Sequence, residues 1–416
     1  MGKRVFWVGL LVVIQLCFSS FWWTPEAAAL TSEQKLFNQA WRIVNRAYVD
    51  ETFNDQNWWF IRQKALKKPL RDRKQSYAAI QKMLASLDDP FTRFLNPEQY
   101  RSLRVNTSGE LTGVGVQIAL DDEGTILVIS PIEGSPAAAA GLQPRDRIVS
   151  IDGISTFGLS LDEAAKRMRG PVGSTVTLTV KRYGDRSLED IAIVRDRIEL
   201  NPVVADLKTP EEMPVGYIRL NQFNANATAE VTKAINHLEE LGADAYILDL
   251  RNNPGGLLQA GIEIARLWID EGAIVYTVNR QGILDSFEAT GTALTDDPLV
   301  VLVNQGTASA SEILAGALQD NDRAVLVGET TFGKGLIQSL FDLFDGSGLA
   351  VTVAKYETPL HRDIHKLGIT PDYIVNGDRI TRQQLATDAD KQYEAALELL
   401  TEKVMLGDSV MAKNAA

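Results

Sequence analysis

Apolar positions recur at helical spacing early in the chain, at strand spacing through its second hundred residues, and as alternating buried runs after that. The stripe Leu36, Ala40, Trp41, Val44 and Tyr48 follows one helix face, and Tyr77, Ile80, Leu84 and Leu87 form a second that Asp88-Asp89-Pro90 stops. Thr31 and Gln34 have the spacing of a capping box. Between about 109 and 195 the pattern changes to short β-branched runs (114–120, 125–129, 147–151, 175–181) parted by Gly, Pro and Asp turns, with one helix over 161–168. From about 198 onward, strands at 215–220 and 245–250 flank a helix at 228–241, and a further helix covers 257–268. Such alternation implies a sheet covered by helices. The tail over 381–400 is amphipathic through Leu385, Tyr393, Ala396, Leu397 and Leu400 and is expected to pack back as a helix.

The start of the chain belongs to none of these patterns. Met1-Gly2-Lys3-Arg4, an apolar run over 5–18 and the exit Ala27-Ala28-Ala29 describe a secretory signal peptide cleaved after Ala29. The run is short for a membrane span, although Phe21-Trp22-Trp23 could prolong it into an uncleaved anchor; with cleavage, the mature protein is expected to be peripheral to a membrane at most. Cys17 is the only cysteine and lies inside the leader, which excludes disulfides from the mature chain. With 416 residues and 45% hydrophobic content there is material for two or three domains. The formal charge of -12 argues against nucleic-acid binding, which needs a basic face.

Candidate chemistry gathers late in the chain. The run 299–303 reads as a buried strand, a Gly306-Thr307 turn follows, and 311–318 has helical periodicity. Ser309 thus stands where a strand hands over to a helix N-terminus, whose free N–H groups favour developing negative charge. A serine needs a base. Lys334 offers one, framed by Gly333 and Gly335, which let backbone approach closely. To act at neutral pH, its amine must fall from about 10.4 toward about 7, a shift burial can supply. Gln338 lies four residues on and could orient the amine. Gly255-Gly256, at another strand-to-helix turn, exposes N–H groups suited to an oxyanion hole. His361 and His365 have metal-ligand spacing, but the residues between them lack the glutamate of a zincin, so no metal and no other cofactor is expected. Taken singly, Ser309 would be a helix cap and Lys334 a solvated lysine.

Taken jointly they are specific. Thr307-Ala308-Ser309-Ala310-Ser311-Glu312, then Thr331-Phe332-Gly333-Lys334-Gly335 with the lysine 25 positions after the serine, resembles the C-terminal processing (tail-specific) peptidases, which are Ser-Lys enzymes. The resemblance implies Ser309 as nucleophile, Lys334 as general base with Gln338 in support, and an oxyanion hole from Gly255 and the Ala310 amide. Asp320 matches an acidic position sometimes counted as a third catalytic member, although a Ser-Lys pair needs no carboxylate to fix a tautomer. The stretch from Gly134 to Gly153 resembles a bacterial PDZ domain. That places Gly113, Val114, Gly115 and Val116 at the loop that binds a terminal carboxylate while the peptide adds as an edge strand, with Leu161 and Met168 lining the groove.

The fold implied is multidomain α+β: signal peptide 1–29, N-terminal helical domain 30–107, PDZ domain 108–196, crotonase-like ββα spiral core 197–380, and a C-terminal helix over 381–416 packing on the N-terminal region. The function implied is a serine endopeptidase that captures protein C-terminal tails and cleaves near them. The run Thr307 to Leu318 is most similar to the branch that matures the photosystem II D1 precursor in oxygenic phototrophs. The leader lacks a plastid transit region, which indicates a cyanobacterial thylakoid lumen or periplasm. A general tail-specific quality-control protease, a non-catalytic PDZ scaffold and an acyl-CoA enzyme on the crotonase-like core are the alternatives.

Overall fold

The computed structural model describes residues 30–414 except 68, 122, 133, 183–186, 210–212 and 378–380. The leader expected over 1–29 lies outside the described residues. Among the described residues no helix is long and apolar enough to cross a membrane. The described residues form two compact units, one from 30–96 with 340–351, the other from 97–339 with 352–414.

In the first unit, α1 (Ser32–Ala47) opens on the expected capping box, Gln34 N–H donating to the Thr31 hydroxyl and Thr31 N–H to the Gln34 side chain. Next come α2 (Trp58–Leu66), capped by Asn57, α3 (Arg73–Ala85), capped by Asp72, and the short β1 (Arg93–Leu95). Leu36, Phe37, Ala40 and Val44 of α1 meet Trp58, Ile80 and Leu84 in the core. Leu349 and Val351, from far along the chain, complete it, and β1 pairs antiparallel with residues 348–350. Two expectations are corrected here. The helical unit ends at Asn96 rather than 107, and 340–351 belongs to it, where Leu343, Leu349 and Val351 join the apolar cluster of α1, α2 and α3.

The second unit begins with α4 (Pro97–Ser108) and β2 (Glu110–Gly113). Then come β3 (Val116–Leu120), β4 (Ile126–Pro131), the single turn α5 (Pro136–Ala139), β5 (Arg147–Ile151), β6 (Ile154–Ser155), α6 (Leu161–Met168), β7 (Thr175–Lys181), β8 (Leu188–Val194) and β9 (Asp196–Glu199). A sheet in the order β3-β4-β5-β7-β8 closes over Val114, Ile126, Val128, Ile148, Val176 and Leu178. The ribbon β2-β9 carries the chain into and out of it.

From β10 (Val203–Lys208) the chain runs through β11 (Val215–Leu220), α7 (Ala227–Glu240), β12 (Ala245–Asp249), α8 (Leu258–Arg266), the hairpin β13 (Ala273–Asn279) and β14 (Gly282–Glu288), then β15 (Leu299–Val303) and α9 (Ala310–Asp320). It ends with β16 (Val325–Gly328), β17 (Leu336–Asp342), β18 (Gly348–Glu357), β19 (Tyr373–Ile374) and α10 (Lys391–Asn414). A six-stranded sheet, β10-β11-β12-β15-β16-β19, is parallel apart from its β10 edge. Every residue of β12 and β15 is buried, since helices cover both faces. One face packs on α7, α8 and α9 through Val231, Ile235, Ile262 and Leu314. The other takes Tyr393, Ala396 and Leu400 of α10 against Tyr217, Ile247, Val300 and Leu302. The C-terminal helix thus covers the second face of the parallel sheet. Arg251 pins the helix there, bonded to Asp249 and to Asp390 at its start.

Candidate active site

The apolar strand β15 delivers the chain to a tight elbow. Thr307 donates its hydroxyl to the Leu250 carbonyl (2.9 Å), and Ala308 N–H bonds to the Asn253 carbonyl (3.0 Å), so the turn is tied to the loop after β12. Ser309 then adopts φ 59° and ψ −119°, a conformation rarely taken by a side-chain-bearing residue, and α9 starts at Ala310. Helix caps are normally extended, so Ser309 is not held as an ordinary cap. The buried Tyr356 hydroxyl donates to the Ser309 carbonyl (3.1 Å). Burial, then Glu312 and Asp363, push that phenol well above its usual range, so it remains a neutral donor.

Lys334 lies half-buried on the loop between β16 and β17. Its flanking glycines are required by packing. A Cβ on Gly333 (φ 83°) would stand 2.8 Å from the Gly368 nitrogen, and one on Gly335 would stand 2.9 Å from the His365 nitrogen. What joins this loop to the serine is Glu312, fully buried in the first turn of α9. One of its oxygens, Oε2, accepts from the Ser309 N–H (2.8 Å) and the Lys334 N–H (2.9 Å); the other, Oε1, accepts from the Thr331 hydroxyl (2.5 Å) and the Gly333 N–H (2.7 Å). A single carboxylate oxygen therefore holds both backbone nitrogens, within side-chain reach of each other. In the sequence Glu312 stands only as part of the Thr307 to Glu312 motif. The detectable signal was an acidic residue three positions after the serine inside an otherwise apolar helix.

The loop after β12 closes against the elbow. Gly255 has φ 88°, and a Cβ there would stand 2.6 Å from the Ala308 oxygen, 2.8 Å from the Ala310 nitrogen and 2.8 Å from the Ser309 Cβ. Gly255 and the Ala310 amide are thus brought together. In this conformation the Gly255 N–H is donated to the Asn253 side-chain oxygen (2.9 Å), a neutral acceptor. An oxyanion, forming a bond about twice as strong, would outcompete it.

Of the other expected catalytic residues, Asp320 is not brought to the serine. Asp320 is at the far end of α9, where it pairs with Arg362 and accepts the Leu360 N–H. Three turns of helix separate it from Ser309, so it anchors the 357–362 loop. Gln338, on β17, has its amide nitrogen 3.5 Å from the Thr352 hydroxyl. His361 bonds to Glu357 (2.9 Å) and stacks on Tyr276, and its spacing to His365 falls on irregular chain rather than a helix.

At the glycine loop, Gly115 (φ 75°) lies against Ser135, whose hydroxyl donates to the Gly115 carbonyl (2.9 Å); a Cβ there would come within 2.4 Å of the Ser135 Cβ. Val114 and Met168 are 3% and 4% exposed and belong to the core, while Leu161 and Val116 are half-buried. Beside Gly113 a cleft of about 540 Å³ is lined by Leu111, Thr112, Arg101, Lys166 and Arg169 with one acidic residue, Glu98, a cationic balance suited to a terminal carboxylate.

A family model described as peptidase family S41 matches residues 214–375, and a PDZ domain model matches 127–182. The chain is similar to a carboxyl-terminal-processing protease of Picosynechococcus, 62% identical over 94% of each chain, and to one of Synechocystis, 60% identical over 96% of this chain and 95% of that one. Among solved structures it resembles a photosystem II D1 C-terminal processing protease, with 43% identity, a TM-score of 0.56, and coverage of 86% of this chain and 99% of that one.

Proposed function

The chain belongs to peptidase family S41, among the carboxyl-terminal processing proteases, and from that membership we propose that it cleaves protein tails with a Ser309–Lys334 dyad. The observation carrying this reading is the shared oxygen of Glu312, which receives the N–H groups of both residues. Ser309 Oγ attacks the scissile carbonyl and gives its proton to the neutral Lys334 amine. The Ala310 amide, joined by Gly255, receives the oxyanion. Lys334 then passes the proton to the leaving amine, and water hydrolyses the acyl ester by the same route reversed. Gln338 steadies the amine from the neighbouring strand. The PDZ domain captures the free C-terminus at Gly113 to Val116, beside the cationic cleft. The leader sends the protein to a thylakoid lumen or periplasm. The favoured substrate is the D1 precursor, supported by the likeness to a protein of that name.

The test is cleavage of a tailed model protein, read by intact mass, with wild type, Ser309→Ala and Lys334→Ala. Both variants should lose cleavage while Ser309→Ala still binds the tail. Equal cleavage by Ser309→Ala and wild type would sink the assignment.

A further inference from the structure

We propose that the outer face of α2 docks on the headgroup–acyl boundary of an anionic lipid bilayer. At 3.6 residues per turn the nine positions of this helix divide into two faces. Trp58 (4% exposed) turns into the core, with Ile61, Ala65 and Leu66 packed against the same cluster. The opposite face presents Trp59 and Phe60, each 54% exposed, followed one turn on by Gln63, Lys64 and the C-cap Lys67, all exposed. Two large aromatics thus stand side by side in water with lysines directly behind them.

The aromatic end is held in place. Asn57 caps the helix at the Phe60 N–H (2.9 Å). The Trp59 ring meets Trp41 edge-on at 5.9 Å, and the Arg62 guanidinium lies 4.8 Å from its centre while its Nε donates to Asn38. These contacts fix the orientation of Trp59 and leave half its surface open.

Charge selects the occupant. The chain as a whole has 42 basic and 54 acidic residues, yet 58–74 contains seven Lys or Arg and only Asp72 on the acidic side. Arg71 and Lys74 are exposed like Lys64 and Lys67. On a protein with net negative charge, such a segment is a place where attraction to an anionic surface can outweigh the overall repulsion. Tryptophan and phenylalanine at headgroup depth with flanking lysines are the composition of an interfacial anchor. A protein partner, or a second copy of the chain, would meet a face rich in lysine, a residue depleted in protein interfaces.

The full chain is sedimented with phosphatidylcholine vesicles with and without phosphatidylglycerol. The variants are Phe60→Ser and the double change Lys64→Gln with Lys67→Gln, each checked for an unchanged melting curve. Wild type should bind the anionic vesicles and release at high salt. The double variant should bind about 25-fold more weakly at low salt, fivefold for each lysine. Phe60→Ser should weaken binding at every salt concentration, and cleavage of a soluble tail should be unaltered in both. Brominated lipid should quench tryptophan emission in wild type and less in Trp59→Phe. Failure of wild type to prefer anionic vesicles would overturn the proposal. So would variants that bind as well as wild type, since the leader or another surface would then be responsible. A dimer in solution that Phe60→Ser dissolves, without vesicle binding, would give the face to a second copy and equally refute it.

Discussion

Glu312→Gln removes a charge and adds a donor with almost no change in shape. Whichever way the amide rotates, its NH2 faces two donors: the Ser309 and Lys334 N–H groups at Oε2, or the Thr331 hydroxyl and Gly333 N–H at Oε1. Each hydrogen bond to a charged acceptor contributes about 1.5–3 kcal/mol. Losing two costs about 3–6 kcal/mol, shared between stability and the geometry of the elbow. A third of the upper figure falling on the transition state is about 2 kcal/mol, or roughly 30-fold in kcat; all of the lower figure is roughly 150-fold. The expected result is therefore a kcat reduced about 30- to 150-fold, a KM within about threefold of wild type because Glu312 is fully buried, and a lowered Tm. Steady-state kinetics on a tailed peptide well below the melting transition, with calorimetry alongside, measures all three. Thr331→Val is the control, since it removes one donor from Oε1 and leaves the Ser309–Lys334 clamp intact, so its loss in kcat should be smaller. A folded Glu312→Gln enzyme with kcat within threefold of wild type would refute the idea that this carboxylate assembles the dyad.

Gly255→Ala places a methyl group 2.6 Å from the Ala308 oxygen at φ 88°, and should lower kcat about 10²–10³-fold by opening the oxyanion site, measured on the same peptide. Asp320→Asn should leave kcat within about threefold and lower Tm, since its partner is Arg362; a collapse of kcat in folded protein would return Asp320 to the chemistry. Gly115→Ala, with its Cβ 2.4 Å from that of Ser135, should abolish the preference for tails with a free over an amidated C-terminus, a ratio readable by competition. Burial alone would raise the Asp390 carboxyl, but bonds from Arg251 and from the Ala386 and Tyr393 N–H groups outweigh it and hold the carboxyl below its ordinary value. A depressed folded-state value stabilises the protein above the unfolded value, about 3.9, and that contribution disappears as pH falls through the folded value. Acid melting should therefore steepen below about pH 4, and less so in Asp390→Asn.

Features fixed by near neighbours could be read from the chain. The Thr31–Gln34 cap, the stripe of α1, the short strands of the PDZ sheet and the placement of Ser309 between β15 and α9 all follow from spacings of a few residues. Three features depend on partners far away in sequence. Leu349 and Val351 read as ordinary strand residues, and nothing local shows that α1 and α3 lack cover without them. The α10 stripe announces an amphipathic helix without saying which surface it meets. Glu312 looks like a first-turn acidic residue favoured by the helix dipole, because its partners at 331, 333 and 334 come from a loop beyond the next strand. The Asn253 acceptor for the Gly255 N–H is local in sequence but is a rotamer choice, and residue pattern does not encode it.

The positive φ of Ser309 costs on the order of 1–3 kcal/mol, and that strain persists only where the surroundings over-determine it. Here they do so from every side. Its N–H is held by Glu312, its carbonyl by Tyr356, its preceding turn by Asn253 and Leu250, and its Cβ by the bare backbone of Gly255. None of these contacts uses a group that the chemistry consumes. Glu312 Oε2 accepts from both the Ser309 and the Lys334 N–H, so a shift of that one carboxylate moves the backbone of nucleophile and base together. A substitution that relieves the elbow should therefore stabilise the fold and lower kcat in the same protein. Destabilising changes elsewhere, such as at the α10 face, should lower Tm with kcat preserved.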